Sequence, residues 1–210
     1  MKNNTWKLIQ KIVFQNTLIL LLLLAITGCD PDDPKKEDAP EAITQVKLTF
    51  SPTDGSAPVE VTANDPDGEG VLDFLADKDV VLNADTEYLL TLEMFNGLAD
   101  PNSDGYDIGK EVEEEGDEHI LLFGWTNGIF ASPQGNGNVD SRNDPVNYLD
   151  SDKNNLPLGL ETKWKTASAG AVNTGGFRII LKHQPGIKTT SSGAGDGETD
   201  LDISFSLIVD

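Results

Sequence analysis

The sequence contains one cysteine, Cys29, and is poor in basic residues. A single thiol cannot form a disulfide within the chain, so an apolar core or bound ions must hold the fold together. The chain has 15 Lys and Arg residues and 36 Asp and Glu residues, which gives a formal net charge of −21. This excess of negative charge repels phosphate groups, and we therefore expect no nucleic-acid partner. Cations or a basic protein are the partners that the charge favours.

Long hydrophobic runs are confined to the N-terminal segment. Residues 18–25 are apolar and follow three lysines, as in a secretory signal peptide. The run is shorter than the ~20 residues of a membrane-spanning helix. It leads into Ile-Thr-Gly-Cys at residues 26–29, which resembles the lipobox of bacterial lipoproteins. The resemblance implies a signal peptide over residues 1–28 and a lipid anchor with palmitate-type acyl chains on Cys29, whereas an unmodified thiol is the alternative.

Residues 29–42 are predicted to form an acidic, proline-rich tether. Residues 30–41 include three prolines and no large apolar side chain, so they cannot bury enough surface to offset the entropy of ordering. We expect a semi-extended linker between the membrane and the domain. Its acidic start resembles the surface-export signals of Bacteroidota lipoproteins, and a plain solvated spacer is the alternative. Without residues 1–28 the chain would have 182 residues and a formal charge of −24.

From Ile43 onwards, apolar residues recur with a period of two, which is typical of strands with one buried face. Turn dipeptides such as Asp54-Gly55 and Asn127-Gly128 separate these segments. No stretch has a sustained period of 3.6, so we expect no helix. The pattern predicts one all-β domain over residues 43–210, an antiparallel β-sandwich of about eight strands. The predicted strands cover residues 46–50, 59–62, 71–75, 88–94, 119–125, 158–164, 177–183 and 201–209.

Four segments carry a family resemblance: residues 111–119 (EVEEEGDEH), 150–160 (DSDKNNLPLGL), 181–185 (LKHQP) and 197–200 (GETD). Together they resemble an uncharacterised family of outer-membrane lipoproteins from Bacteroidota, over roughly residues 43–210. The resemblance implies a secreted lipoprotein domain that works beside outer-membrane nutrient receptors. Members are sometimes labelled as having a type 1 periplasmic-binding fold. That fold needs repeated strand-helix-strand units, which this chain does not show.

Residues 100–111 match the spacing of a twelve-residue calcium loop, D-x-[DN]-x-[DN]-G-x5-E. Oxygen atoms of Asp100, Asn102 and Asp104 would converge on the ion because Gly105 permits a sharp turn, and Glu111 would close the shell with two oxygens. The flanking segments are predicted strands, not the helices usual for this motif. A solvated acidic loop is therefore the alternative.

A poorer version of the calcium loop contains Asp150 and Asp152, with Glu161 at its twelfth position. Lys153 lies inside it, and the resembling family tends to have glycine where this chain has Asn155. An ordinary acidic turn is the alternative here too. The acidic turn at residues 196–200 is interpreted as solubilising.

The two histidines, His119 and His183, lie at the start and at the end of predicted strands. If these strands are neighbours, the two rings and carboxylates from residues 113–118 would form a site for zinc or another transition metal. The alternative is that each ring makes ordinary hydrogen bonds at a strand end.

Catalytic motifs are missing from the sequence. An acylated Cys29 leaves no thiol, and neither G-x-S-x-G nor H-E-x-x-H is present. We therefore expect a non-enzymatic binding or accessory module of the outer membrane, either surface-exposed or facing the periplasm, that assists metal or nutrient capture with an outer-membrane receptor. The alternative is a calcium-stabilised structural or adhesive module. A third reading is a carbohydrate-active enzyme, in which Trp125, Trp164 and Phe130 would stack on sugar rings if they were exposed. The two tryptophans follow the apolar faces of their strands, however, and this position favours core packing.

Overall fold

Ten strands and one short helix make up the described part of the chain, residues 41–68 and 72–210 of a computed structural model. The signal peptide, Cys29 and most of the tether lie outside these residues, as does Val71 at the start of one predicted strand. The elements are β1 (Gln45–Pro52), β2 (Val59–Asn64), β3 (Leu75–Ala76), β4 (Val80–Leu82), β5 (Glu87–Phe95), α1 (Ile108–Glu114), β6 (His119–Trp125), β7 (Phe130–Ser132), β8 (Glu161–Thr166), β9 (Thr174–His183) and β10 (Glu198–Val209).

The strands form two packed sheets, which confirms the predicted all-β sandwich. One sheet has six strands in the order β3-β2-β1-β5-β8-β7, and the other has four in the order β4-β10-β9-β6. All pairs are antiparallel except β4 with β10, which run parallel. Strands β4 and β7 were not predicted from the sequence, because each has only three residues and is too short for a period of two to be recognised.

Alternation along the strands places the core between the sheets. In β1, the buried Val46, Leu48 and Phe50 alternate with half-buried polar residues. Residues from both sheets meet in one apolar cluster, with Trp164 and Phe177 in edge-to-face contact at a centroid distance of 5.1 Å. Each large side chain that is fully buried contributes about 1.5–3 kcal/mol. This burial is the main force that holds the two sheets together in a domain without disulfides.

Strand β6 is buried on both faces although it lies at an edge of the four-stranded sheet. Ile120 and Leu122 pack with Ile180 on the outer face, beneath Val139 and Ala194. The free edge of β6 is covered by backbone hydrogen bonds from residues 136–138 and 158. Covering protects the edge from pairing with other chains. It also fixes the start of the strand, where the first histidine lies.

The prediction that the chain has no helix was wrong. Helix α1 spans seven residues, and the Asp107 side chain caps its start by accepting a hydrogen bond from the Lys110 backbone N–H. Ile108 and Val112, four residues apart, are its buried face. Two apolar positions are too few to show a helical period in the sequence. The helix nevertheless matters, because it ends just before β6.

A buried ion pair fastens the loop after β9 to the rest of the domain. The Lys188 Nζ lies 2.9 Å from Asp152 Oδ2, and each side chain is only 1% exposed. The same ammonium group donates a hydrogen bond to the Gly116 carbonyl at 2.6 Å. Burial lowers the pKa of Lys188. Burial acts to raise the pKa of Asp152, but the ion pair and the backbone N–H groups of Leu156 and Asn154 outweigh it and hold that pKa below its ordinary value.

We predict that Lys188→Met lowers the free energy of unfolding by about 3–5 kcal/mol, because it leaves the Asp152 carboxylate buried without its counter-charge. Denaturant titration followed by circular dichroism measures the loss. Lys153→Met is the control, since Lys153 is 73% exposed and pairs with Asp117 at the surface. The double variant Lys188→Met/Asp152→Asn should recover part of the stability, because the neutral amide removes the buried charge and its oxygen can still accept the Asn154 and Leu156 N–H groups. Equal losses in the two lysine variants would contradict the role of the buried pair.

Candidate metal centre

The two histidines meet at one end of the four-stranded sheet. His119 is the first residue of β6 and His183 the last residue of β9, and the two are direct partners in the antiparallel register. The register also pairs Leu121 with Leu181, and because side chains alternate, both rings lie on the same inner face as these core leucines. The adjacency on which the predicted zinc site depended is therefore present.

A bulge in β10 brings a third polar side chain to the same place. Thr199 is opposite Lys182 and Leu201 is opposite Leu181, so Asp200 is an extra residue in the ladder. Strict alternation would place Asp200 on the outer face with Asp202, but a bulge redirects the extra side chain. Asp200 is only 3% exposed.

The three side chains offer ligand atoms that all lie within 4.8 Å of one another. His119 is fully buried and His183 is 7% exposed. Their rings are stacked, with centroids 4.7 Å apart and planes inclined by 11°. His119 Nε2 faces Asp200 Oδ2 at 3.8 Å. This distance is too long for a direct hydrogen bond.

The backbone around α1 sets the tautomer of His119. Its Nδ1 lies 3.2 Å from the Glu115 carbonyl oxygen. A carbonyl only accepts, so Nδ1 carries the proton, and in the neutral ring Nε2 presents its lone pair toward Asp200. Metal-binding histidines in proteins are commonly oriented in this way by a backbone carbonyl on the other nitrogen.

The surroundings of Asp200 disfavour its charged form. Neither carboxylate oxygen accepts a hydrogen bond of standard geometry from the described residues, although the Glu41 backbone N–H is near enough to favour the charged form. Burial raises the pKa of Asp200 to about 6, and the charge of Glu41 adds to the rise while His183 opposes it. A buried carboxylate without full hydrogen bonding is costly to keep ionised.

The donor set suits a divalent transition ion. Two imidazole nitrogens and one carboxylate are ligands of zinc and of related ions. Two atoms bound to one zinc ion at ~2.1 Å are about 3.4 Å apart at the tetrahedral angle. The 3.8 Å between His119 Nε2 and Asp200 Oδ2 is close to that separation, whereas the two stacked rings must rotate before both can direct a nitrogen lone pair at one ion.

Two residues of the predicted segment 113–118 contact the histidines, one through its carboxylate and one through its backbone carbonyl. Glu118 Oε2 lies 3.5 Å from His183 Nε2, and Glu115 contributes its carbonyl to His119. A second group of ligand atoms within 4.8 Å of one another consists of Glu41, Glu111 and Glu115, all half-buried. Glu41 belongs to the predicted tether, yet its charge acts on Asp200.

The first predicted calcium loop does not bring its acids together. Asp100 is exposed, and its Oδ1 accepts hydrogen bonds from the backbone and side chain of Asn102. Glu111 lies in α1 and groups with Glu41, and among the described residues neither cluster of three ligand-type side chains includes Asp100 or Asp104. The loop closes by its own hydrogen bonds.

The second predicted loop uses its acids to hold backbone. Asp150 accepts hydrogen bonds from the Gly159 and Glu161 N–H groups, and Asp152 accepts two from its own turn and pairs with Lys188. Asn155 has φ = 60°, a left-handed conformation that asparagine tolerates and glycine adopts freely. The carboxylates of Asp150 and Asp152 thus hold the backbone of the loop that follows them, at residues 154–161.

Trp125 and Trp164 are 6% and 0% exposed and are in contact at 5.0 Å between centroids. They belong to the core, as their positions on the apolar faces of the predicted strands favoured, and they are not exposed for stacking on sugar rings.

The residue that sequence reasoning missed is Asp200. It was assigned to a solubilising turn because residues 196–200 (DGETD) include three acidic residues and a glycine. One local signal was available in the sequence. Thr199 and Asp200 directly precede the strictly alternating run that starts at Leu201, and extending the strand back through them requires a bulge. Glu41 was missed because its surroundings in sequence are typical of a linker.

Comparisons with known proteins found no match, so a functional proposal has to be argued from this geometry. No family model matches the chain, and no curated protein or solved structure matches it significantly. Among residues 41–68 and 72–210, none of the helical structure is long and apolar enough to cross a membrane.

We predict that Asp200→Asn stabilises the metal-free domain at pH 7–8. With a pKa of about 6 when folded and about 3.9 when unfolded, Asp200 carries no penalty below pH ~4, and the penalty grows as pH rises through ~6. Above that range it is on the order of 3 kcal/mol. Thermal melts in chelator from pH 4 to 8 should show the variant and the wild type diverging as pH rises.

The control for this prediction is Asp202→Asn, two residues along the same strand. The Arg178 guanidinium donates two hydrogen bonds to the Asp202 carboxylate, from Nε to Oδ1 at 2.7 Å and from Nη2 to Oδ2 at 2.5 Å. Its substitution should lower the melting temperature at neutral pH. If Asp200→Asn lowered it similarly, the buried carboxylate would be stabilising the fold instead of straining it.

Proposed function

We propose that this domain binds a divalent transition ion of the zinc class through His119, His183 and Asp200, and that it does so as a non-enzymatic binding or accessory module. The observation that supports the proposal best is the ionisable Asp200, buried without full hydrogen bonding and facing the Nε2 of a histidine at 3.8 Å. A cation between these atoms would neutralise the carboxylate and use the imidazole lone pair.

A binding role is favoured over catalysis by the enclosure of the centre. The three side chains are between 0% and 7% exposed, which leaves little room for a substrate beside the ion. Catalytic zinc sites keep a position open for water or substrate. A fourth ligand is available in principle from Glu118, whose carboxylate already contacts His183.

The proposed setting is the cell envelope. The residues that support it are the apolar leader and the lipobox-like Ile-Thr-Gly-Cys at 26–29. A lipid on Cys29 and an acidic tether would hold the domain at the outer membrane, where a metal-binding module could pass its ion to a receptor.

We predict that the full-length chain in detergent binds zinc, and that His119→Ala, His183→Ala or Asp200→Asn each weakens binding by at least about 100-fold, which is the upper end of the loss expected for an outer-shell partner. Competition with a chromophoric chelator measures the affinity. Asp202→Asn should bind as the wild type does. Absence of zinc binding at micromolar levels, or calcium stabilisation that disappears in Asp104→Ala, would overturn the proposal in favour of another module.

We predict that Cys29→Ser abolishes incorporation of a labelled fatty acid in a bacterial expression host and leaves the leader uncleaved. Cys29 supplies the only thiol to which the lipid can be attached. Gel mobility and labelling with an alkyne fatty acid report both effects. Unchanged labelling in the variant would contradict a lipoprotein anchor, and this result would leave the metal-binding proposal intact.

A further inference from the structure

Three side chains form a row across the outer face of the six-stranded sheet. The register places Gln45 of β1 opposite Asn64 of β2 and opposite Phe95 of β5. All three point away from the core, because side chains alternate along a strand and their neighbours Val46 and Met94 are buried inside it. Gln45 Nε2 donates a hydrogen bond to Asn64 Oδ1 at 2.8 Å. The row therefore consists of two joined amides beside an aromatic ring.

This row lines a cavity of about 350 Å³. Pro66, from the turn after β2, and Leu98 and Tyr106, from the loop between β5 and α1, line it as well. The rings of Tyr106 and Phe95 have centroids 5.5 Å apart and planes inclined by 36°. The volume is near the lower end of the ~300–1,000 Å³ that is usual for small-molecule sites. The cavity thus suits a ligand of one or two rings.

Hydrogen bonds hold the loop after β5 in place beside the cavity. Thr44 Oγ1 accepts the Gly97 N–H at 2.7 Å, and the Asn96 N–H donates to the Tyr106 carbonyl at 2.9 Å. A Cβ on Gly97 would lie 3.1 Å from Thr44 Oγ1, so glycine lets the two segments approach closely. The cavity is therefore preformed, and a ligand would not first have to order the loop.

The described residues that line this cavity are all uncharged, although charged residues make up 24% of the chain. A second cavity, between β5, α1 and residues 150–161, has a different lining. It includes five acids, which are Glu93, Asp107, Glu113, Asp150 and Glu161. A charged ligand in the first cavity would lose water without gaining a counter-charge from these lining residues. The contrast indicates that the first cavity suits a neutral ligand.

The amide pair has hydrogen-bonding capacity that the fold does not use. Each amide has two N–H donors and a carbonyl oxygen that can accept twice. The bond between the two side chains takes one donor of Gln45 and one lone pair of Asn64. No other hydrogen bond within the described residues occupies Asn64 Nδ2 or Gln45 Oε1. A donor and an acceptor are therefore available on residues that line the cavity.

We infer that this cavity binds a neutral sugar unit. A pyranose ring has an apolar face of C–H groups, which packs on aromatic side chains such as Phe95 and Tyr106. Its hydroxyl groups both donate and accept, which matches the unused donor of Asn64 and acceptor of Gln45. The proposed metal centre lies on the inner face of the other sheet. Sugar binding is thus a further function that does not depend on metal binding.

The test is saturation-transfer NMR on the full-length chain, in chelator and in a detergent without a sugar headgroup. The probes are the methyl glycosides of glucose, galactose, mannose, xylose and N-acetylglucosamine. At least one should bind with about millimolar affinity, which is the range expected for ligands of about 11–16 non-hydrogen atoms. Tyr106→Ala should weaken this binding about tenfold. Asn64→Ala should weaken it by about 2- to 10-fold through the loss of a hydrogen bond.

Two variants serve as controls. Tyr106→Phe keeps the ring and removes only the hydroxyl group, so it should bind nearly as the wild type does. Leu89→Ala shortens a side chain that is 40% exposed on the same strand and face as Phe95 but outside the cavity. It should bind as the wild type does. Thermal melts show which variants are folded, and Asn64→Ala decides the test if Tyr106→Ala does not fold.

Three outcomes would overturn the inference. The first is the absence of saturation transfer to every glycoside at about 10 mM. The second is an equal loss of binding in Leu89→Ala and in the cavity variants. The third is binding of a neutral proline-tyrosine peptide instead of the glycosides, which would make the cavity a peptide site. Since chelator is present throughout, each of these results leaves the proposed metal binding intact.

Discussion

The direct cross-strand pairing of His119 with His183 is the constraint on which the candidate centre depends. In an antiparallel ladder, a shift of one residue would turn one ring to the outer face. The register is held by the core, since the same two strands pair Leu121 with Leu181 and Phe123 with Ile179 on the inner face. The apolar burial that stabilises the sandwich therefore also keeps the two imidazoles together. The covered edge of β6 and the short helix before it then fix where the first ring points.

Much of the fold follows from the period of two in the sequence, and the site follows only in part. Long alternating strands such as β1, β5 and β10 could be recognised because each has four or more residues on one buried face. Helix α1 and strands β4 and β7 could not, since they are shorter than the window in which a period is visible. His119 and His183 could be proposed as partners because they end strands that a sandwich brings side by side.

Asp200 and Glu41 could not be assigned from sequence for a different reason. The position of Asp200 depends on a bulge, which changes which face a residue occupies without changing its neighbours in sequence. Glu41 depends on the path of the chain as it enters the domain, and no local pattern records that path. The predicted calcium loops show the converse: their acids have suitable spacing, but backbone N–H groups and Lys188 occupy several of them. Spacing predicts a site only when nothing nearer satisfies the oxygens.

Two buried carboxylates in this domain, Asp152 and Asp200, have different partners and opposite pKa shifts. Asp152 has a lysine ammonium at 2.9 Å and two backbone donors, and its pKa is held below the ordinary value even though it is buried. Asp200 is buried to a similar degree without such partners, and its pKa is raised. Asp200 faces His119 Nε2 at 3.8 Å, and in the proposed function a cation bound between them would supply the charge that Lys188 supplies to Asp152.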